Sequence, residues 1–231
     1  MISVIIPAYN EAENLCNLLP RLEQLSKGHK VEILVSTGVC TNDYSICLKD
    51  SDLAAIISGK KKGRAIQMNE GANAAKGDIL VFLHADVTPP TGFFDDIMNT
   101  LAEKDAGFFS YSFDESSFLL RVNASFTKRK SLFTGGGDQC LFIKKAAFDK
   151  LGGFDESHTI MEDFHFFRKM KKNSVSFKIV NNDLIVSARK YQHNSYLRVN
   201  LTNLILLSLF NLGYAPEKLK ALHNRLLKRT Y

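Results

Sequence analysis

The stretch Gly77–Pro89, GDILVFLHADVTP, passes from apolar to polar within a few residues. Ile79 to Leu83 form an unbroken apolar run bounded by Gly77 on one side and by Pro89-Pro90 on the other. A run this short between breakers reads as a buried strand. It stops on His84-Ala85-Asp86, and Asp86 is the lone acid ahead of Thr88 and the two prolines. In an open parallel sheet, ligands gather beyond the carboxyl ends of the strands. One carboxylate there suits a hard divalent cation that takes its remaining ligands from the phosphate oxygens of a substrate. Asp86 also reads as a cap for the turn before Pro89, and the tripeptide alone leaves both readings open.

Working outward, strands and helices alternate. ISVIIP (2–7) is β-branched and closed by Pro7, the pattern of a buried strand. Asn10 reads as a helix N-cap with Glu13 completing a capping box. Leu15, Leu18, Leu19, Leu22 and Leu25 then mark one helical face. VEILVS (31–36) and LAAIIS (53–58) are further strands. KGRAIQMNEGANAAKG (62–77) is a helix with a narrow face of Ala65, Met68, Ala72 and Ala75. This alternation implies right-handed crossovers and a mostly parallel sheet with helices on both sides. Past residue 105 the pattern loosens. Ala106–Asp114 reads as a strand in mixed pairing, and 117–130 as helical. QCLFIKK (139–145) reads as a strand, AAFDKLGGF (146–154) as a helix closed by Gly152 or Gly153, and 160–172 as a helix. VSFKIVNNDLIVSARK (175–190) predicts a hairpin turning at Asn181–Asp183. Two helices follow Tyr196, broken near Gly213 and Pro216.

The chain of 231 residues, 45% hydrophobic and 23% charged, fits one domain with a core of its own. There is no repeat and no linker-like tract. We therefore expect a single unit with a nucleotide-binding half (1–115), an acceptor half (116–190) and a helical tail (191–231). Cys16, Cys40, Cys47 and Cys140 show no C-x-x-C spacing. That argues against a zinc ribbon or a disulfide framework and suits a reducing cytoplasm. No signal peptide is expected from the N-terminal residues, and no apolar run reaches the roughly 18 residues of a membrane span. The net charge of +6 fits either simple solubility or an anionic partner.

Four segments, SVIIPAYNEAENL, GRAIQMNEGANAAKGDILVFLHAD, GGGDQCLFIKKAAFDKLGGFDE and MEDFHFFRKMKK, together resemble the family 2 glycosyltransferases of the GT-A fold. The nearest resemblance is to a small, soluble bacterial branch, and it covers residues 2 to about 190 in order. It implies a GT-A-type, Rossmann-like mixed sheet with flanking helices and a C-terminal helical tail. The implied reaction is inverting transfer of a sugar from a nucleotide diphosphate sugar to an acceptor hydroxyl. In the family the strand-end motif is acid-x-Asp and binds Mn²⁺ or Mg²⁺. Asp86 matches its last position and His84 its first, where this branch often has histidine; an imidazole favours Mn²⁺. Pro7, Tyr9 and Glu11 are implied to line the nucleotide pocket, with Arg64 and Arg189 reaching the diphosphate. Asp138, Gln139 and Glu162 are implied to face the acceptor, and Asp163 to serve as the general base. Each has a plainer reading. Glu11, Glu162 and Asp163 suit the positive end of a helix, and the three glycines 135–137 suit a flexible turn. The family's acids after the second strand are replaced: Thr37 stands for the first and Asn42 for the second, with Asp43 one step late. Hydrogen bonds to the nucleoside can pass through Thr37, whereas charge-assisted ones cannot.

Lys60, Lys61 and Lys62 read either as a phosphate clamp or as a solvated loop. His165 reads as packed or solvated. In the tail, Leu201, Leu204, Ile205, Leu207, Leu209 and Leu212 cover more than one helical face, ahead of Lys218, Lys220, Arg225, Lys228 and Arg229. The segment suits an interfacial helix meeting a lipid-linked acceptor at the inner membrane face, or a core or homodimer helix. The processive Q-x-x-R-W signature is missing, so a polymer-making enzyme is not expected, nor is a nucleic-acid partner. No G-x-G-x-x-G follows the first strand, which argues against a dinucleotide-dependent oxidoreductase. A nucleotidyltransferase would need a Gly-rich, Arg-containing loop there, and none is found. The competing class is a catalytically silent protein that binds nucleotide sugars or a membrane surface.

Overall fold

The computed structural model describes residues 1–38, 44–48, 51–59, 61–131 and 134–227. Asn42, Asp43, Cys40, Lys60, Lys228 and Arg229 lie outside the described residues. Strands β1 (Ile2–Pro7), β2 (Val31–Ser36), β3 (Ala54–Ile57) and β4 (Ile79–Phe82) are parallel, in the order β3-β2-β1-β4. The chain steps outward from β1 to β3 and then returns past β1 to place β4. The strand order therefore reverses between β1 and β4, which opens a crevice at their carboxyl ends.

The sheet continues beyond β4 through β7 (Leu141–Lys144), β6 (Ala106–Phe113), β8 (Phe177–Val186) and the two-residue β5 (Val87–Thr88). β7 runs antiparallel to β4 and β6, while β8 is parallel to β6. The expected hairpin at 181–183 is therefore corrected. β8 is one continuous strand whose pairing with β6 shifts register between Phe109 and Tyr111. Its polar residues bulge without reversing the chain, because neighbours hold them. Asn182 Nδ2 donates to Thr91 O at 2.9 Å and to Asp96 Oδ2 at 2.7 Å, and Asp183 pairs with Lys128 at 2.9 Å.

Helices cover both faces. On one side α1 (Ala12–Leu25) buries Leu15, Leu18, Leu19 and Leu22, beside Phe93, Phe94 and Ile97 of α4 (Phe93–Glu103). Burying each such side chain contributes roughly 1.5–3 kcal/mol. On the other side lie α3 (Arg64–Ala74), α6 (Lys145–Lys150) and α7 (Glu162–Lys172). The small-residue face of α3 lets it approach the sheet closely: a side chain at Gly71 would meet Ile5 Cγ2 at 2.5 Å. The capping expectation is also corrected. The residue preceding α1 is Glu11, with no side-chain cap, and Asn10 adopts a left-handed φ of 58°.

The short α2 (Ser45–Leu48) is bonded to α1 by a disulfide between Cys16 and Cys47. This overturns the expectation of unbridged cysteines and removes that argument for a reducing compartment. Cys140 is a buried thiol. α5 (Phe118–Ser125) and α8 (Arg189–His193) lead to α9 (Tyr196–Asn211) and α10 (Pro216–Leu226). α9 and α10 pack Leu206, Leu207, Phe210 and Leu219 on Ile160, Met161 and Phe164. Among the described residues no helix is long and apolar enough to cross a membrane.

Candidate active site

The β1 and β4 ends deliver two carboxylates to one point. Glu11 follows β1 and Asp86 follows β4, and Arg189, at the start of α8, reaches both. Its Nη2 lies 3.0 Å from Asp86 Oδ2 and 3.3 Å from Glu11 Oε1. These side chains are partly open, at 31%, 29% and 15% exposure for Arg189, Asp86 and Glu11. Glu11 Oε2 also accepts from Asn14 Nδ2. The loop between β1 and α1 is pinned from below, where Asn10 N donates to the hydroxyl of buried Tyr44 at 2.9 Å. Tyr9 stands on the rim, 49% exposed, with Lys62 Nζ 5.7 Å from its ring centre.

A second group lies deeper. α7 begins with Glu162 and Asp163 directly after Met161, whose φ is 63°. Glu162 is buried and takes Arg64 Nη1 at 3.3 Å. Asp163 meets His84 across Gly137. A Cβ at Gly137 would lie 2.5 Å from His84 Cε1 and 2.6 Å from Asp163 Oδ2, so glycine alone fits between them. His84 Nδ1 sits 3.4 Å from Asp138 Oδ1. Burial, then the neighbouring charge of Glu162, push the Asp163 carboxyl up to about 7 against the opposing His84 and Arg64. Asp138 goes the other way. Burial pushes its carboxyl up, but the His84 hydrogen bond and the charges of Lys190, His84 and Arg64 outweigh burial and hold it well below the usual carboxylate range. Asp138 is exposed, with 52% of its side chain open to solvent.

The structure thus joins Glu11, Asp86 and Arg189 in one group, beside the end of β1 that carries Pro7 and Tyr9, and Arg64, His84, Asp138, Glu162 and Asp163 in a second. Two further expected residues are buried. Gln139 is buried: Gly135 N donates to its Oε1 at 2.9 Å, and its Nε2 faces Phe109 O and Thr127 O. Its amide is used by the glycine loop and the backbone around it. Thr37 is buried at the end of β2, its hydroxyl 3.5 Å from Gly38 O.

Two further positioning residues escaped the sequence reading. Gln67 Nε2 donates to Ala8 O at 2.8 Å and Ser36 O at 3.0 Å, tying the ends of β1 and β2 together. Asn69 donates to Phe154 O at 2.9 Å and accepts from Phe154 N at 3.0 Å. Both lie in the Q-M-N part of the α3 motif, and polar residues on an otherwise small, apolar face were the available signal. Burial, then the facing His158, hold His165 below the ordinary imidazole range.

For a divalent cation, Asp86 fits. It is a half-open carboxylate beside a second one, and the pair already converges on a single positive group. His84 fits less well, because its Nδ1 is engaged by Asp138 and its far edge faces Asp163.

A parallel half-sheet with an acidic strand end, facing an acid-bearing helix across the crevice, is the layout of the GT-A fold. The chain belongs to glycosyl transferase family 2, whose family model matches residues 3–170. It is 29% identical over 116 residues to the undecaprenyl-phosphate 4-deoxy-4-formamido-L-arabinose transferase of Salmonella choleraesuis (strain SC-B67), an alignment covering 46% of this chain and 34% of that protein. With the same-named transferase of Pseudomonas fluorescens (strain Pf0-1) it is 33% identical over 117 residues, covering 46% and 33%. The chain thus spans about a third of the length of these curated relatives.

Among solved structures, S. aureus TarS 1-349 in complex with UDP-GlcNAc has a TM-score of 0.66 at 14% identity, covering 97% of this chain and 72% of that one. The mannosyltransferase PcManGT from Pyrobaculum calidifontis, in complex with GDP-Man and Mn²⁺, has a TM-score of 0.65 at 18% identity, covering 97% and 68%. At these identities the likeness concerns the fold.

Proposed function

We propose that this chain transfers a sugar, with inversion, from a nucleotide diphosphate sugar to an acceptor hydroxyl. The observation that carries the reading is the place of Asp163: across Gly137 it meets His84, two residues along the chain from Asp86, and its carboxyl is raised to about 7. A general base works best when its affinity sits near the operating pH. Asp163 takes the acceptor proton, and Glu162, fixed by Arg64, keeps the local field negative enough to hold that affinity up. Asp138, ionised and facing the crevice, orients hydroxyls. At the other end Tyr9 packs on the base, Glu11 accepts from the ribose, and Arg189 turns from Asp86 to the diphosphate. Asp86 would hold Mn²⁺ or Mg²⁺ together with the donor, and the ion would supply charge neutralisation at the departing diphosphate.

The relatives named for undecaprenyl-phosphate suggest a lipid-linked acceptor, and the surface supports it. Phe118, Leu119 and Val122 of α5 are exposed beside Leu197, Leu201 and Leu204 of α9, and the two helices are joined by Asn123 Nδ2 donating to Asn200 Oδ1 at 3.1 Å. Neither helix carries an acid; their charges are Arg121 and Arg198. An apolar patch with only positive charge matches an anionic bilayer better than a second copy of itself.

The test is a panel of nucleotide sugars with Mn²⁺, reading donor-induced thermal shift and sugar release together. Shift and turnover with one donor, the turnover lost in Asp163→Asn, support the reading. Binding without turnover across the panel leaves a silent donor-binding protein. Flotation with anionic vesicles, lost in Leu197→Asp/Leu201→Asp, tests the surface. A concentration-dependent dimer with no flotation assigns the patch to self-association.

A further inference from the structure

A second polar cluster lies outside the crevice. Asp155, His158 and His165 each offer a ligand atom, and these atoms lie within 4.8 Å of one another. It is the one such group of three among the described residues. Asp155 Oδ2 is 3.4 Å from His158 Nδ1, close to the separation of about 3.4 Å that two ligands with bonds near 2.1 Å make around a tetrahedral ion. The rings of His158 and His165 face each other with centres 4.0 Å apart and planes tilted by 24°. His165 Nδ1 is buried with no hydrogen-bond partner, and an unsatisfied buried polar atom is a defect that a bound ion can relieve.

The surroundings hold this arrangement in place. Asp155 Oδ1 accepts from Ser157 N at 3.0 Å and from Ser157 Oγ at 2.7 Å, which orients the carboxylate and leaves Oδ2 toward His158. The residues just before Asp155 are clamped from two helices. Asn69 of α3 bonds both backbone groups of Phe154, and Lys169 of α7 donates to Gly153 O at 2.8 Å. Two cations lie close by: Lys169 is bonded to that carbonyl and Arg168 lies over the Phe210 ring and bonds Asn211, and both charges act on His165, favouring its neutral, metal-ligating form.

We propose that Asp155, His158 and His165 form a binding site for a borderline divalent transition metal of the zinc class, separate from any cation that accompanies the donor. Two imidazoles and one carboxylate are the ligand set such ions prefer over Mg²⁺ or Ca²⁺. The ion would fasten the loop ahead of α7 to the helix itself. At about 100° per residue, His165 points roughly opposite to Asp163, so the ion steadies the base-bearing turn from behind and stays out of the crevice. The proposal does not depend on the glycosyl-transfer reading.

The test titrates Zn²⁺ into chelator-treated protein without any nucleotide sugar, by calorimetry and by the shifts of the histidine ring protons in NMR spectra. Co²⁺ serves as an absorbing substitute. We expect one ion per chain, perturbing the His158 and His165 rings. Affinity should fall more than about tenfold in His158→Ala and in Asp155→Asn and be unchanged in Asp86→Asn. NMR on the unsubstituted chain keeps the test decisive if a variant misfolds. Binding that leaves both rings unmoved, binding lost in Asp86→Asn, or no ion retained above the level of surface carboxylates would overturn the proposal.

Discussion

Where β1 and β4 end, Glu11 and Asp86 are only partly exposed and share one guanidinium. At the inner end, Glu162 and Asp163 begin a helix beside a glycine loop, and Arg64 is bonded to Glu162 while its charge also acts on Asp163. The same carboxyl chemistry thus gets two jobs from two environments. Acids that share a guanidinium at a partly open edge suit a cation, whereas an enclosed acid beside another acid has its proton affinity raised to near neutrality.

The largest expected effect comes from removing the enclosed acid. Asp163→Asn should lower turnover by about 10²–10⁴-fold while donor-induced thermal shift persists. It should also separate function from stability. Asp163 rises from 3.8 to about 7 on folding. Above pH 7 the folded chain holds a partly buried charge that the unfolded chain holds in water. That penalty fades as pH falls through 7 toward 3.8, where both states are protonated. Asp163→Asn should therefore melt higher than wild type at pH 8 and no higher near pH 4. An equal gain at both pH values would show that the inner end is not the enclosed site described here.

Next comes the shared guanidinium. Arg189→Ala should weaken donor affinity by about 10–100-fold, the loss of charge-assisted hydrogen bonds. The same change should tighten binding of Mn²⁺ alone, because Glu11 and Asp86 are left facing each other. Isothermal titration reads both, and weaker binding of Mn²⁺ would break the contrast between the two ends.

A smaller effect should come from Glu162→Gln. The pH profile of kcat/KM should rise through about 7 in the wild type, because the base must be ionised. Removing the Glu162 charge should move that midpoint down, since this charge helps raise Asp163.

The smallest is structural. Gln67→Ala leaves Ala8 O and Ser36 O without their side-chain donor. It should destabilise by about 1–3 kcal/mol, read by denaturant melts, with KM little changed if the site geometry survives.

Much of the group around Asp86 was legible in the chain. The apolar run ending in Asp86, the strand ending in Pro7 and the α3 motif are local patterns with local causes, and the Glu162-Asp163 pair could be found by motif. What each acid does was less visible. Arg189 lies 178 positions from Glu11, and no periodicity connects them. Gln139 stands next to Asp138 yet turns into the fold, because the glycine loop needs its amide. The supposed hairpin at 181–183 failed because Thr91, Asp96 and Lys128, remote in sequence, hold those polar residues in a bulge. The bond between Cys16 and Cys47 needed α1 and α2 to meet, which spacing alone does not encode.

The amino-acid sequence by itself determined the parallel half-sheet, its helical cover and the acidic ends of its strands, since hydrophobic period and chain breakers act over a few neighbouring residues. Only the tertiary structure decided which carboxylate is enclosed and which is shared, because proton affinity follows burial and charges brought together from distant parts of the chain.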